Sequence, residues 1–210
     1  MAKILNLKFD YNKKIVNIFI IKVSTFIICL LPLLNLLFKF IYTGLGANPI
    51  EFIVRDLGDW GLRFLILVLL VSSLQKNRFL KFLINIRRMV GLFSFFYVTL
   101  HFTSYIVLDQ FFYFLGIWED ILKRRYITLG FLSFLLLIPL AITSSNYMIK
   151  KMGIFRWRFL HRLVYPASIL ALIHFTMMIK ADYSEPLFYG VVILFLLFFR
   201  LPLKRIIKFN

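Results

Sequence analysis

The sequence predicts an all-α membrane protein, a six-transmembrane-helix bundle, and three observations carry that prediction. Of 210 residues, 61% are hydrophobic and 17% charged, and mean hydropathy is +0.87. A 25.0 kDa chain cannot hide so much apolar surface in one soluble core, whereas several spans of about 20 residues account for it. The apolar residues also fall in long runs, and the charged stretches between those runs alternate in sign.

The first segment, Val16 to Tyr42, is long enough to span with tilt. The charged stretch before it lacks a short apolar run ending in a small-residue cleavage site, so it reads as a retained span. It holds the only cysteine, Cys29, which excludes an intramolecular disulfide or a thiolate cluster. The second, Leu62 to Leu74, is short, and Trp60 with Arg63 is expected to anchor its outer end. The third is Val90 to Leu108. An amphipathic piece from Phe111 to Arg125, with Trp118, is expected to lie in the membrane interface. Ile127 to Thr143, Leu160 to Ile179 and Leu187 to Leu201 complete the six. No internal repeat, low-complexity tract or linker is visible, so residues 1–210 read as one domain.

The connections set the orientation. Lys3, Lys8, Lys13 and Lys14 precede segment one; Lys76, Arg78, Lys81, Arg87 and Arg88 follow segment two. Lys150, Lys151, Arg156, Arg158 and Arg162 follow segment four, and Arg200, Lys204, Arg205 and Lys208 end the chain. Together these are 18 of the 26 cationic residues. The other three connections hold Glu51, Asp56, Asp59, Asp109, Glu119, Asp120, Asp182 and Glu185, eight of the nine acids. The positive-inside rule then puts both termini in the cytoplasm. A net charge of +17 would suggest nucleic acid in a soluble chain. Here its placement assigns it to topology, and no nucleic-acid partner is expected.

Only three histidines occur, His101, His161 and His174, all within or at the mouth of predicted spans. An imidazole is expensive in hydrocarbon unless something uses it, and neutral imidazole is a common iron ligand, including for haem. Segments three and five both run outward. At about 1.5 Å per residue, His101 and His174 reach nearly the same depth toward the outer face. Two facing histidines at one level suit the axial positions of a haem iron between the third and fifth helices. Gly91 and Ser94 share the His101 stripe, and Ala167 and Ala171 that of His174, leaving room for a porphyrin. Helix-packing hydrogen bonds are the competing reading for this pair.

His161 lies about 20 Å further down the helix, at the cytoplasmic boundary. The residues at that level on segment three are Arg88 and Arg87. An ordinary guanidinium is a poor iron ligand but a good partner for haem propionates or phosphate. An ideal helix rotates His161 about 140° from His174, and Pro166 lies between them. An interfacial histidine and an inner haem ligand are both open readings of His161.

Specific stretches carry a resemblance. Arg87-Arg88-Met89-Val90-Gly91-Leu92-Phe93, leading through Tyr97 to His101, Tyr105 and Leu108-Asp109-Gln110, is one. Lys123-Arg124-Arg125-Tyr126-Ile127-Thr128-Leu129-Gly130, Ala141-Ile142-Thr143-Ser144 and Trp157-Arg158-Phe159-Leu160-His161-Arg162-Leu163-Val164-Tyr165 are the others. The chain resembles the MsrQ (YedZ) family, the haem-binding membrane subunits of the bacterial periplasmic methionine-sulfoxide-reductase system. That family is similar to the transmembrane part of ferric reductases and NADPH oxidases, which carry two stacked b-type haems between two helices with two histidines each.

The resemblance implies haem b, one or two per chain, with His101 and His174 ligating the outer haem and His161 the inner one. The fourth histidine is absent, and Arg87 or Arg88 stands near its place as an inner ligand or propionate contact. It further implies electron delivery from the quinol pool or a cytoplasmic reduced flavin donor to a periplasmic molybdopterin enzyme, MsrP, which repairs oxidised methionines. The chain is then a redox subunit of the bacterial inner membrane whose substrate chemistry sits on its partner. FMN is a cofactor associated with the family. No G-x-G-x-x-G dinucleotide fingerprint occurs in the sequence, so electrons are expected from a separate donor. Two alternatives stand beside this: a self-contained transmembrane ferric or cupric reductase, and a haem-free transporter or assembly factor.

Overall fold

The computed structural model describes residues 2–74 and 77–200, with side chains from Val16 onward except those at 78 and 81. Lys76, Leu201, Lys204, Arg205 and Lys208 therefore lie outside the described residues. The described elements are helical: α1 Ala2–Phe38, α2 Pro49–Leu74, α3 Ile84–Ser104, α4 Phe114–Lys123, α5 Arg125–Ile142, α6 Asn146–Met152, α7 Ile154–Leu160, α8 Val164–Met178 and α9 Ser184–Phe198. Single π turns, Lys39–Thr43 and Tyr105–Asp109, extend α1 and α3, and a 3₁₀ turn, His161–Leu163, joins α7 to α8.

Five helical stretches are long and apolar enough to cross a membrane: Val16–Thr43, Pro49–Leu74, Ile84–Asp109, Arg125–Ile142 and Ile154–Met178. They contain the first three predicted segments and all but the last residue of the fourth and fifth. The sixth corresponds to α9, an apolar helix of 15 residues. On the outside of the bundle, large apolar side chains stand exposed in rows, among them Phe19, Ile27, Ile28 and Ile41 on the first span. Such rows are stable in hydrocarbon rather than water. The protein is a multi-pass membrane protein.

Segment two departs most from expectation. Predicted to start at Leu62, it starts at Pro49 and runs 26 residues, so Glu51, Asp56 and Asp59 lie on a helix and not in a loop. The cause is local. The Asn48 side chain accepts the Glu51 N–H at 3.3 Å and donates to the Glu51 carboxylate at 2.9 Å. That is a capping-box arrangement with proline at the first helical position. Glu51 then pairs with Arg55, one turn on, at 2.7 Å. Hydropathy is blind to this first half because its charges interrupt the apolar run.

Helix α2 packs along α3 and α5 along α8; α1 leans on α3, and α9 on α2 and α8. The α3 and α5 helices meet through Phe134, whose ring lies 5.8 Å from that of Phe95 and 5.1 Å from that of Phe102. The first core cluster gathers Cys29, Leu36, Leu57, Phe64, Val90, Phe93 and Tyr97; the second gathers Leu65, Leu137, Leu140 and Ala167.

The two close helix pairs repeat one another, contrary to the expectation of no internal repeat. The Ser94 hydroxyl on α3 donates to the Gly61 carbonyl of α2 at 3.0 Å. The Ser133 hydroxyl on α5 donates to the Ala167 carbonyl of α8 at 2.9 Å. Gly61 and Ser133 are 72 residues apart, Ser94 and Ala167 73. The same two positions thus bond in both pairs with the donor on opposite helices. Ser94 and Ala167 are accordingly buried by the neighbouring helix of each pair.

Candidate functional site

The two pairs bring His101 and His174 face to face. Their ring centres are 6.2 Å apart and their planes are inclined by 67°. The His101 Nδ1 donates to the Val54 carbonyl of α2 at 2.8 Å, and the His174 Nδ1 donates to the Tyr126 carbonyl of α5 at 2.7 Å. A carbonyl only accepts, so in each neutral ring Nδ1 carries the proton and Nε2 the lone pair. Among the described residues no hydrogen bond engages either Nε2.

This arrangement has a definite chemical capacity. With metal–imidazole bonds of about 2.0 Å, two imidazoles on opposite sides of one metal stand about 6.3 Å apart, centre to centre. The observed spacing matches that distance. Among the described residues no three His, Cys, Asp or Glu side chains converge on a metal site. The pair therefore supplies two ligands, which suits a metal whose remaining positions are held by a macrocycle. Carbonyl bonds behind ligating histidines also fix ring orientation and raise the donor strength of Nε2.

The His101 end is closed by α4. Beyond the π turn, Phe111 and Phe112 take φ of 46° and 62°, a left-handed conformation costing a non-glycine residue about 1–2 kcal/mol. The chain reverses there, and Ile117 and Ile121 of α4 are buried while Phe114, Leu115, Trp118 and Leu122 stay exposed. Asp120 accepts from the Tyr105 hydroxyl at 2.9 Å and from Gln110 at 3.3 Å, and pairs with Arg124 at 3.0 Å. Glu119 pairs with Lys123 at 2.7 Å, and that neighbour holds its exposed carboxyl below the usual range. These two acids are thus engaged within α4 and its neighbours. Near the same end, Arg63 lies 4.9 Å over the Trp60 ring and donates to the Tyr189 hydroxyl at 2.9 Å.

His161 is in a different setting, at the basic end. Its ring stacks on Trp157, centre to centre 4.0 Å, and its Nε2 lies 3.1 Å from the Thr143 hydroxyl. Thr143 directs its single proton at the Pro139 carbonyl, 2.6 Å away, so the His161 Nε2 donates and the lone pair sits on Nδ1. Trp157 closes the motif by donating to the Thr143 carbonyl at 3.0 Å. Arg87 exerts the larger electrostatic influence on His161 and Arg88 the smaller. Arg88 is exposed and donates to Asn146 at 2.7 Å. Arg87 is half-buried, in the field of Arg88, Arg158 and Arg200, and has no hydrogen bond or ion pair among the described residues.

Sequence reasoning placed the histidines but missed the carbonyls of Val54 and Tyr126 that orient them. Backbone acceptors leave no residue-type signature. The signal that existed was the recurrence of glycine four residues after each, at Gly58 and Gly130.

Residues 57–172 match the family described as ferric reductase like transmembrane component. That stretch includes His101 and His161 and stops just short of His174. The chain is 49% identical over 180 residues to the protein-methionine-sulfoxide reductase heme-binding subunit MsrQ of Rhodospirillum rubrum, covering 86% of each chain. It is 45% identical over 183 residues to MsrQ of Herminiimonas arsenicoxydans, covering 86% of this chain and 84% of that one. MsrQ of Caulobacter vibrioides is 44% identical over 172 residues, 82% of each chain. The chain belongs to the MsrQ family of heme-binding subunits, within the ferric-reductase-like transmembrane class.

Proposed function

We propose that this chain is a membrane haem b subunit passing electrons outward to MsrP, a periplasmic molybdopterin methionine-sulfoxide reductase that repairs oxidised proteins. In this reading six spans cross the bacterial inner membrane with both termini in the cytoplasm, and the donor is the quinol pool or a cytoplasmic reduced flavin. The observation that carries it is the facing His101–His174 pair, ring centres 6.2 Å apart, each tied through Nδ1 to a carbonyl.

The residues present fit a haem. Held there, it supplies one-electron iron chemistry, so no residue of the chain needs to act on a substrate. His101 and His174 would hold it through Nε2, and the Val54 and Tyr126 carbonyls keep their rings in the tautomer that leaves Nε2 free to ligate. Apolar side chains of the second core cluster and those packed on it, including Val98 and Ala171, keep water from the interior between the helices. At the basic end, His161 would hold an inner haem, with Arg87 or Arg88 as a further ligand or a propionate contact. That role requires the ring to be redirected from Thr143 or to ligate through Nδ1. FMN enters this reading as a family cofactor, with no residue assigned to it.

An absorption spectrum of the protein purified with haem tests the core of the proposal. Low-spin haem is expected in the wild type and lost in both His101→Ala and His174→Ala. Undiminished low-spin haem in the two variants would refute the assignment. Copurification of MsrP in mild detergent separates this function from that of a self-contained metalloreductase.

A further inference from the structure

Each histidine of the pair is backed on its Nδ1 side by a glycine of the neighbouring helix. A Cβ built on Gly58 would stand 3.0 Å from His101 Nδ1, 3.1 Å from Cε1 and 3.5 Å from Cγ. One built on Gly130 would stand 2.8 Å from His174 Nδ1, 3.0 Å from Cε1 and 3.1 Å from Cγ. Both glycines follow the acceptor carbonyl by four residues, Val54 to Gly58 and Tyr126 to Gly130. That spacing has a geometric cause. In an α-helix the carbonyl of residue i points along the axis toward the N–H of residue i+4. A side chain reaching that carbonyl from outside must lie against the backbone at i+4, where a Cβ would stand in its way. The requirement is met twice, on α2 and on α5, the equivalent helices of the two pairs.

We propose that Gly58 and Gly130 are positioning residues for the histidine pair: they open the Val54 and Tyr126 carbonyls to Nδ1–H and so set the orientation and donor strength of both rings. The inference rests on the haem reading above. A Nδ1–H bond to a carbonyl makes Nε2 a stronger donor, which favours ferric over ferrous iron. A methyl group at either position pushes the ring away and lengthens that bond. The effect is larger at Gly130, where three ring atoms fall within 3.1 Å and the imidazole must move as a whole. Gly91 serves as a control: the sequence put it on the His101 stripe, but a Cβ there meets only Val68 Cγ2 of α2, at an ordinary 3.5 Å, and neither histidine ring.

The test compares wild type, Gly58→Ala, Gly130→Ala and Gly91→Ala, each purified with haem in detergent. The measurements are low-spin electron paramagnetic resonance, a potentiometric titration and a thermal transition. Gly58→Ala and Gly130→Ala are expected to change the low-spin signal and raise the midpoint potential, Gly130→Ala more. Their thermal transitions report how far the contact with the ring offsets the gain that alanine brings to a helix over glycine, whereas the signal and potential, which a merely structural role would leave unchanged, report the positioning. A folded Gly130→Ala protein that has lost low-spin haem supports the proposal too. If Gly130→Ala does not fold, Gly58→Ala, with its looser contact, decides alone. Wild-type signal and potential in Gly58→Ala and in folded Gly130→Ala, or an equal shift in Gly91→Ala, would overturn the inference while leaving the haem reading intact. Absence of low-spin haem from the wild type would overturn both.

Discussion

Replacing Tyr97 by phenylalanine is expected to loosen α1 from the bundle by an amount that depends on Pro32. The Tyr97 hydroxyl stands inside the hydrogen-bond ladder of α1, accepting the Leu33 N–H at 3.1 Å and donating to the Cys29 carbonyl at 2.9 Å. Leu33 and Cys29 are four residues apart and would ordinarily bond directly. Pro32, inside α1, lacks an N–H and crowds the carbonyl one turn back, which opens the ladder where the hydroxyl enters. Tyr97 is 0% exposed, so no water replaces it. If the ladder closes in Tyr97→Phe, two bonds become one, a net loss of about 1 kcal/mol. If Pro32 keeps it open, two buried backbone groups are stranded at about 1–3 kcal/mol each, a loss of at least about 2 kcal/mol. The proline inside α1 favours the second outcome. Thermal unfolding in detergent should show a fall of at least about 4 °C, taking about 2 °C or more per kcal/mol for a chain of this size. In a Pro32→Ala background, where the ladder can close, the cost of Tyr97→Phe should drop to about 1 kcal/mol. Equal losses in the two backgrounds, or no loss with Pro32 present, would show that the hydroxyl does not bridge the ladder.

Thr143→Val removes the oxygen that accepts from the His161 Nε2 and should raise the occupancy or change the spectrum of an inner haem; unchanged haem would assign His161 to the interface alone. Arg87→His should convert an inner component to a bis-histidyl spectrum and Arg88→His should not, because Arg88 is exposed and bonded to Asn146 while Arg87 is half-buried without a hydrogen bond or ion pair among the described residues; identical spectra in the two variants would count against that choice. Glu119 and Asp120 are paired with Lys123 and Arg124. Neutralising Asp109 should therefore change the ionic-strength dependence of MsrP reduction more than neutralising Glu119, and an equal or reversed effect would remove the steering argument. Asp182 accepts the Ser184 N–H at 2.9 Å, which holds its carboxyl below the ordinary 3.8. A carboxyl lowered on folding stabilises the start of α9 above its unfolded value and loses that contribution as pH falls through its folded one; a carbon-13 titration of Asp182 with a midpoint at or above 3.8 would refute the cap.

The spans were legible because hydropathy is a sum over many residues. Val90 to Leu108 lies inside the observed Ile84–Asp109, and Ile127 to Thr143 nearly coincides with Arg125–Ile142. The first half of α2 was not legible to the same measure, since Glu51, Arg55, Asp56, Asp59 and Arg63 lower the average. Its start was nonetheless written locally, in Asn48-Pro49-Ile50-Glu51. The equal depth of His101 and His174 came from counting residues along two helices running the same way. Their partners did not, because Val54 and Tyr126 contribute only backbone, for which any residue type serves. The repeat was hidden for a related reason. Its matched positions are few, and Ser94 with Gly61 against Ala167 with Ser133 exchanges donor and acceptor, so the same contact is spelled with different residues.

The repeat also bears on why the two ends of the bundle differ. At the His101 level its halves agree in detail: histidine, carbonyl four residues before a glycine, and serine–carbonyl lock all recur. A site built twice from the same contacts presents two imidazoles in matching tautomers and with like hydrogen-bond partners, which is what the proposed haem site would use. At the basic end the halves diverge. The spacing of 73 residues that relates Ser94 to Ala167 and His101 to His174 relates Arg88 to His161, yet Arg88 is exposed and bonded to Asn146. The 3₁₀ turn His161–Leu163 has no counterpart in α3, and a tighter turn rotates the helix on one side of it relative to the helix on the other. Arg87, half-buried and without a hydrogen bond or ion pair among the described residues, adds its positive charge to the surroundings of His161. A half-buried guanidinium without a partner calls for an anionic or electron-rich neighbour. The paired-imidazole end and the arginine–histidine end thus differ within one repeated arrangement of helices.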